Sequence, residues 1–190
     1  MIDMAIRSVG VTVYTVPTDA PEADGTLSWA STTMVLVEAR AGDTVGTGWT
    51  YGPAACATMI TDSLADVVTG RDAMDIGGGF SAMVQAVRNS GRSGAVGYAI
   101  SAVDVALWDL KARLLDLPLH RLLGAVREEV PVYGSGGFTS YDERQLRDQL
   151  THWAGEQAIP RVKIKIGQSR GTDTGRDLDR MRQARAAIGE

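Results

Sequence analysis

Arg161–Gly167 reads RVKIKIG, with two lysines two residues apart inside a short apolar β run. Side chains alternate faces along a strand, so Lys163 and Lys165 share one face and Val162, Ile164 and Ile166 the other. Two ammonium groups about 7 Å apart along one strand repel each other. The repulsion lowers the pKa of one of them, and a lysine depressed in this way serves as a general base near neutral pH. A half-buried strand with one solvated face has the same pattern, so the flanking sequence matters. The run is followed by a Gly-containing loop, Gly167–Gly175, and a helical stretch, Asp177–Ile188. Ahead of it come a short strand, Val130–Tyr133, a Gly-Ser loop, Gly134–Gly137, an amphipathic helix, Tyr141–Gln157, and Pro160. The order β-α-β-α is that of a parallel sheet covered by helices. In a closed barrel of such units, charge at a strand's C-terminal end belongs to the active site.

Upstream the texture differs. Ile2–Val16 alternates apolar and polar residues, Trp29–Arg40 contains the β-rich run TTMVLVEA, and Thr44–Tyr51 follows, which predicts a three-stranded antiparallel meander. Pro17–Ser28, polar and with two prolines, reads as a loop that is long for a hairpin, either a functional loop or a mobile tip. Three helical segments come next, at Ala54–Val68, at Phe80–Asn89, and a third and strongest one. In the third, Ile100, Val103, Leu107, Leu110 and Leu114 recur at alternating steps of three and four and mark one apolar face, with Gly91 and Gly94 before it and Pro118 after it. Gly77–Gly79 follows no predicted strand and lacks a following G-K-[ST], so it reads as a helix-helix turn rather than a phosphate cradle.

The 190 residues are 44% hydrophobic and 22% charged with formal net charge −4, an ordinary globular composition. Nineteen basic residues against 23 acidic ones give no basic excess for nucleic acid or an anionic membrane. The amino terminus lacks a signal-peptide core and no run of about 18 apolar residues occurs, so the expected compartment is the cytoplasm. Cys56, the single cysteine, rules out an intrachain disulfide and a cysteine-rich zinc site, and reads as helix-packing filler. His120 and His152 lack metal-pair spacing, and G-x-S-x-G is absent, which disfavours a serine hydrolase.

The segment Ala99–Gly124, AISAVDVALWDLKARLLDLPLHRLLG, together with the K-x-K strand, resembles the enolase superfamily, in particular its mandelate racemase and muconate lactonizing enzyme group. The match lies in the alanines, Asp104, Asp109, Lys111, Arg113 and the Pro118–Gly124 ending, and implies a structural role, with neither aspartate a metal ligand. The resemblance implies an α+β capping domain over residues 1–124, a three-stranded antiparallel meander plus helices. The first two βα units of an incomplete TIM-like (β/α) barrel would follow over 125–190. Lys165 then resembles the acid/base lysine, and Lys163 the partner that lowers its pKa and faces the substrate carboxylate. Ser135 matches a position that contacts that carboxylate in some members. Pro17–Ser28 and Gly48–Pro53 resemble the two capping loops, which makes Trp49 and Tyr51 substrate-facing aromatics or core packing.

The reaction the resemblance implies begins with removal of the proton alpha to a carboxylate, with Mg²⁺ stabilising the enediolate. Departure of a β-hydroxyl then gives an acid-sugar dehydratase, the preferred reading. Return of the proton gives a hydroxy-acid racemase or epimerase, and ring chemistry a cycloisomerase. A complete barrel takes roughly 250 residues, so two units leave an open edge. The expectation is therefore a truncated or fragmentary chain, inactive by itself. The family's three acidic metal ligands would lie on strands absent from this sequence, and the full-length enzyme is expected to be a homo-oligomer. A non-catalytic assembly module is the reading from another class.

Overall fold

The computed structural model describes residues 4–189, so Ile2, the first residue of the predicted first strand, lies outside the described residues. The chain divides into two units. Residues 1–16 with 32–126 form the first, and residues 17–31 with 127–190 the second.

The first unit is built on a three-stranded sheet in the order β1–β2–β3, where β1 is Ser8–Ala23, β2 is Ser28–Ala41 and β3 is Thr44–Tyr51. Strands β2 and β3 are antiparallel, with Met34 opposite Tyr51 and Ala41 opposite Thr44. Val35, Val37, Ala39 and Ala41 alternate into the core, as a sheet with one covered face requires. Ala55–Met59 (α1), a π-helical turn at Ile60–Leu64 and Ala65–Val68 (α2) form one continuous stretch in which Cys56, Ile60, Leu64 and Val68 are buried. The Cys56 thiol points at the carbonyl of Ala95.

The long helix α4, Ala95–Leu114, buries Ile100, Val103, Leu107 and Leu110 as its periodicity predicts, and it packs along β3. Small residues make that approach possible. A Cβ at Gly46 would run into the backbone of Ala106 and Leu110, and one at Gly48 into that of Ala102 and Ala106. Of the signature carboxylates, Asp109 ties the helix to β3: it accepts from the backbone N–H of Thr47 at 2.8 Å and from Arg113 Nε at 2.7 Å. Lys111 donates to the carbonyl of Met74 and lies over the Trp108 ring. A short helix, α5 (Leu119–Leu122), follows Pro118.

Gly77–Gly79 is not a helix-helix turn. It forms the first turn of α3, Ile76–Ala86, because the Asp75 side chain caps the Gly78 N–H and starts the helix earlier than its apolar pattern suggested. No helix among the described residues is long and apolar enough to cross a membrane.

The second unit holds a parallel pair, β4 (Gly134–Ser135) and β5 (Val162–Lys163), linked through α6 (Glu143–Thr151), which continues as a π-helical turn at His152–Glu156. A capping box of Asp142 and Gln145 starts α6. After β5 come a short turn, α7 (Gln168–Gly171), and the helix α8 (Thr174–Ile188), capped by Asp173. Leu146, Leu150 and Ala184 are its buried core, with Trp153, Val162 and Ile164 packed against them.

The first strand of this pair is displaced from Val130–Tyr133 into the Gly-Ser segment. Trp153 lies against that segment, and a Cβ at Gly134 or Gly136 would collide with its indole, so the glycines are the strand's helix-facing positions.

Candidate active-site face

Residue partners in a parallel ladder point to the same side. Ser135 is the ladder partner of Lys163, so Ser135, Lys163 and Lys165 share the face opposite Gly134, Gly136, Val162 and Ile164. Beyond Lys163 the ladder continues by one bond, from Lys165 N–H to the carbonyl of Gly137 at 3.0 Å. Gly167 then turns the chain in the left-handed region (φ 84°), and Ile166 is 49% exposed rather than packed with Val162 and Ile164.

The amine of Lys165 is pushed below the usual lysine value, first by desolvation and then by the adjoining Lys163 amine through hydrogen bonding and charge; the Asp24 carboxylate opposes the shift. Lys163 stands over the Tyr133 ring, 5.8 Å from its centroid.

Asp24 comes from the segment expected to be a loop, and here the structure corrects the sequence reading. β1 runs through to Ala23 and β2 starts at Ser28, which leaves a tight turn at Asp24–Leu27. β1 is an edge strand, where Pro17 and Pro21 interrupt no inner ladder. Asp24 Oδ1 organises the turn, accepting from Thr26 N at 2.7 Å, Thr26 Oγ1 at 3.0 Å and Leu27 N at 2.9 Å. These donors, with a contribution from the charge of Lys165, hold its carboxyl below the usual carboxylate range.

The hairpin tip is docked on the strand ends. Thr139 N–H donates to Ala23 O at 2.9 Å and Thr139 Oγ1 to Asp24 O at 2.8 Å, while Arg170 N–H donates to Gly25 O at 2.9 Å. A Cβ at Gly25 would come within 2.7 Å of the Gly167 carbonyl. Trp29, bonded to Glu22, meets Phe138 edge to face.

Arg180 braces the same region from beneath. It is 4% exposed, and its guanidinium donates to the carbonyls of Gly137, Phe138, Tyr141 and Lys165. Burial lowers its pKa, and the neighbouring Arg176 adds to that effect. The Asp177 carboxylate accepts the Gly167 N–H at 2.8 Å, which fixes the turn after the lysines.

Trp49 and Tyr51 belong to the first unit, where they are half exposed or more and stack edge to face at 5.1 Å. Asp24 and Arg180 were not singled out by sequence reasoning. The turn residues D-G after an alternating run were the available signal for Asp24. Among the described residues no group of three His, Cys, Asp or Glu side chains is placed to hold a metal ion, so the residues present do not make up a Mg²⁺ site.

A capping sheet with its helices and a parallel βα pair bearing two lysines on one face define an α+β enzyme scaffold of the enolase type. Residues 3–124 match the N-terminal domain of the mandelate racemase / muconate lactonizing enzyme family, and the chain belongs to that family. It is 34% identical over 162 residues to L-talarate/galactarate dehydratase of Salmonella typhimurium, covering 83% of this chain and 40% of the relative. A crystal structure of that dehydratase, liganded with Mg and L-lyxarohydroxamate, superposes with a TM-score of 0.84 over 97% of this chain and 49% of that one, at 29% identity. The chain is 33% identical to 3,6-anhydro-alpha-L-galactonate cycloisomerase of Streptomyces coelicolor, covering 97% of this chain and 52% of the relative. A mandelate racemase/muconate lactonizing enzyme-like protein from Rubrobacter xylanophilus superposes with a TM-score of 0.93 at 52% identity, over 98% of this chain and 50% of that one. The chain thus spans about half the length of the relatives it matches.

Proposed function

We propose that this chain supplies the capping domain, the capping hairpin and the acid/base amine of a longer enzyme that abstracts the proton alpha to a carboxylate of an acid sugar. Its preferred outcome is dehydration. The observation that carries the reading is the shared face of Ser135, Lys163 and Lys165, with the Lys165 amine depressed by desolvation and its neighbour. A neutral Lys165 amine takes the α-proton and becomes an ammonium, while the C–H electron pair moves into the carboxylate to give an enediolate. Lys163 and Ser135 meet the substrate carboxylate by charge and hydrogen bond. The β-hydroxyl then takes a proton back from the Lys165 ammonium and leaves as water as the enediolate electrons form the C–C double bond, which gives the enol of a 2-keto acid.

Cycloisomerisation is the second reading, favoured by the similarity to the Streptomyces coelicolor cycloisomerase over nearly the whole chain. Magnesium enters from the liganded relative, and the residues described here do not hold it. By itself the 190-residue chain is therefore expected to turn over no substrate.

The test is α-proton exchange in D₂O by the full-length enzyme, followed by NMR, with detection of a 2-keto acid to separate dehydration from cycloisomerisation or racemisation. Lys165→Ala is expected to abolish exchange. Full exchange in that variant would remove Lys165 from the role.

A further inference from the structure

The segment that caps the lysine face carries Asp19, Glu22 and Asp24 and no basic residue between Pro17 and Ser31. Of these, Glu22 is engaged by the Trp29 indole N–H. Asp24 is different, because its charge and that of Lys165 act on each other. Its backbone is fixed on the strand ends by Thr139 and by the neighbouring Gly25–Arg170 bond, so the carboxylate is not a swinging surface group. Its three turn bonds all fall on Oδ1, which leaves Oδ2 without a protein donor among the described residues.

The face therefore brings together amines that attract a carboxylate and a preorganised anion with a vacant acceptor. A hydroxyl placed beside Asp24 gains a charge-assisted hydrogen bond. A second carboxylate in the same place meets a like charge that the turn donors keep ionised, since they favour the charged form.

We infer that Asp24 is a specificity-determining residue that selects substrates with one carboxylate and a hydroxyl-bearing tail, and rejects sugar diacids. The inference rests on the acid-sugar reading above and narrows it to aldonates. It also separates this enzyme from the Salmonella typhimurium dehydratase, named for talarate and galactarate, which are diacids.

The test compares α-proton exchange in D₂O, at subsaturating substrate and with Mg²⁺, for aldonates and for the aldarates of the same carbon skeletons, using the full-length enzyme. Wild type is expected to favour the aldonate by about tenfold or more, the scale of one like-charge contact near a protein surface. Asp24→Asn keeps the Oδ1 acceptor of the turn and is expected to reduce that ratio by about tenfold. Asp24→Ser, which also retains a turn acceptor, gives the same readout if the amide variant fails to fold. The ratio is internal to each variant, so it does not depend on the fraction folded. Exchange of the aldarate as fast as the aldonate by wild type, or an unchanged ratio in both variants, overturns the role of Asp24 and leaves the acid-sugar reading standing. Exchange of neither class overturns the acid-sugar reading itself.

Discussion

The guanidinium of Arg180 donates to the backbone carbonyl of Lys165, 3.3 Å away, from a position almost sealed from solvent. The same group holds Gly137, Phe138 and Tyr141, so one side chain ties the C-terminal end of the lysine strand to the end of its neighbour. Carbonyls that lose such a donor without water to replace it carry a desolvation penalty, and hydrogen bonds to charged groups are the stronger ones. Arg180→Ala is expected to destabilise the second unit by about 3 kcal/mol or more. Arg180→Lys should recover only part of the loss, because an ammonium cannot reproduce the planar fork. Chemical denaturation followed by Trp153 fluorescence reads both. Wild-type stability in Arg180→Ala would contradict the bracing role.

The two charges beside Lys165 act in opposite directions, which gives a signed prediction for pH. Desolvation and Lys163 lower the Lys165 pKa, and Asp24 raises it. With the neutral amine as the proposed base, exchange is expected to rise with pH, with a midpoint below the usual lysine value. Lys163→Met removes a cation and should move that midpoint upward. Asp24→Asn removes an anion and should move it downward. Rate-pH profiles of the full-length variants check the pair, and shifts of the same sign would contradict the arrangement.

Glycines separate packing from propensity. Gly46→Ala would drive a methyl into the backbone of α4, at a cost of about 2 kcal/mol. Gly77→Ala has open space and sits in the first turn of α3, so the better helix former should stabilise by about 0.5 kcal/mol. Thermal melts of the two variants are expected to shift in opposite directions.

What was legible in the sequence is what a period can encode. The three-four spacing of Ile100, Val103, Leu107 and Leu110 predicted the buried face of α4, and the alternation around Lys163 and Lys165 predicted a shared face. Burial of Arg180 runs against that logic, since Leu178 and Met181 on the same helix are about half exposed while the arginine is inside. Only the carbonyls at two strand ends, brought together by the fold, make that site fit for a guanidinium. Pro17 and Pro21 marked their segment as a loop because proline weakens a strand, yet an edge strand tolerates both. The glycines at 134 and 136 read as loop for the same reason, until Trp153 shows which atoms they make room for.

The bond between Thr139 and Asp24 spans 115 positions of the chain. The second unit is thus stitched from two distant stretches, and its last contacts must wait for a large loop to close, an entropic toll that slows folding more than it weakens the folded form. During synthesis the hairpin emerges early and stands without its landing place until the strand ends leave the ribosome. Permutants that join residues 17–31 directly to the βα pair would shorten that wait.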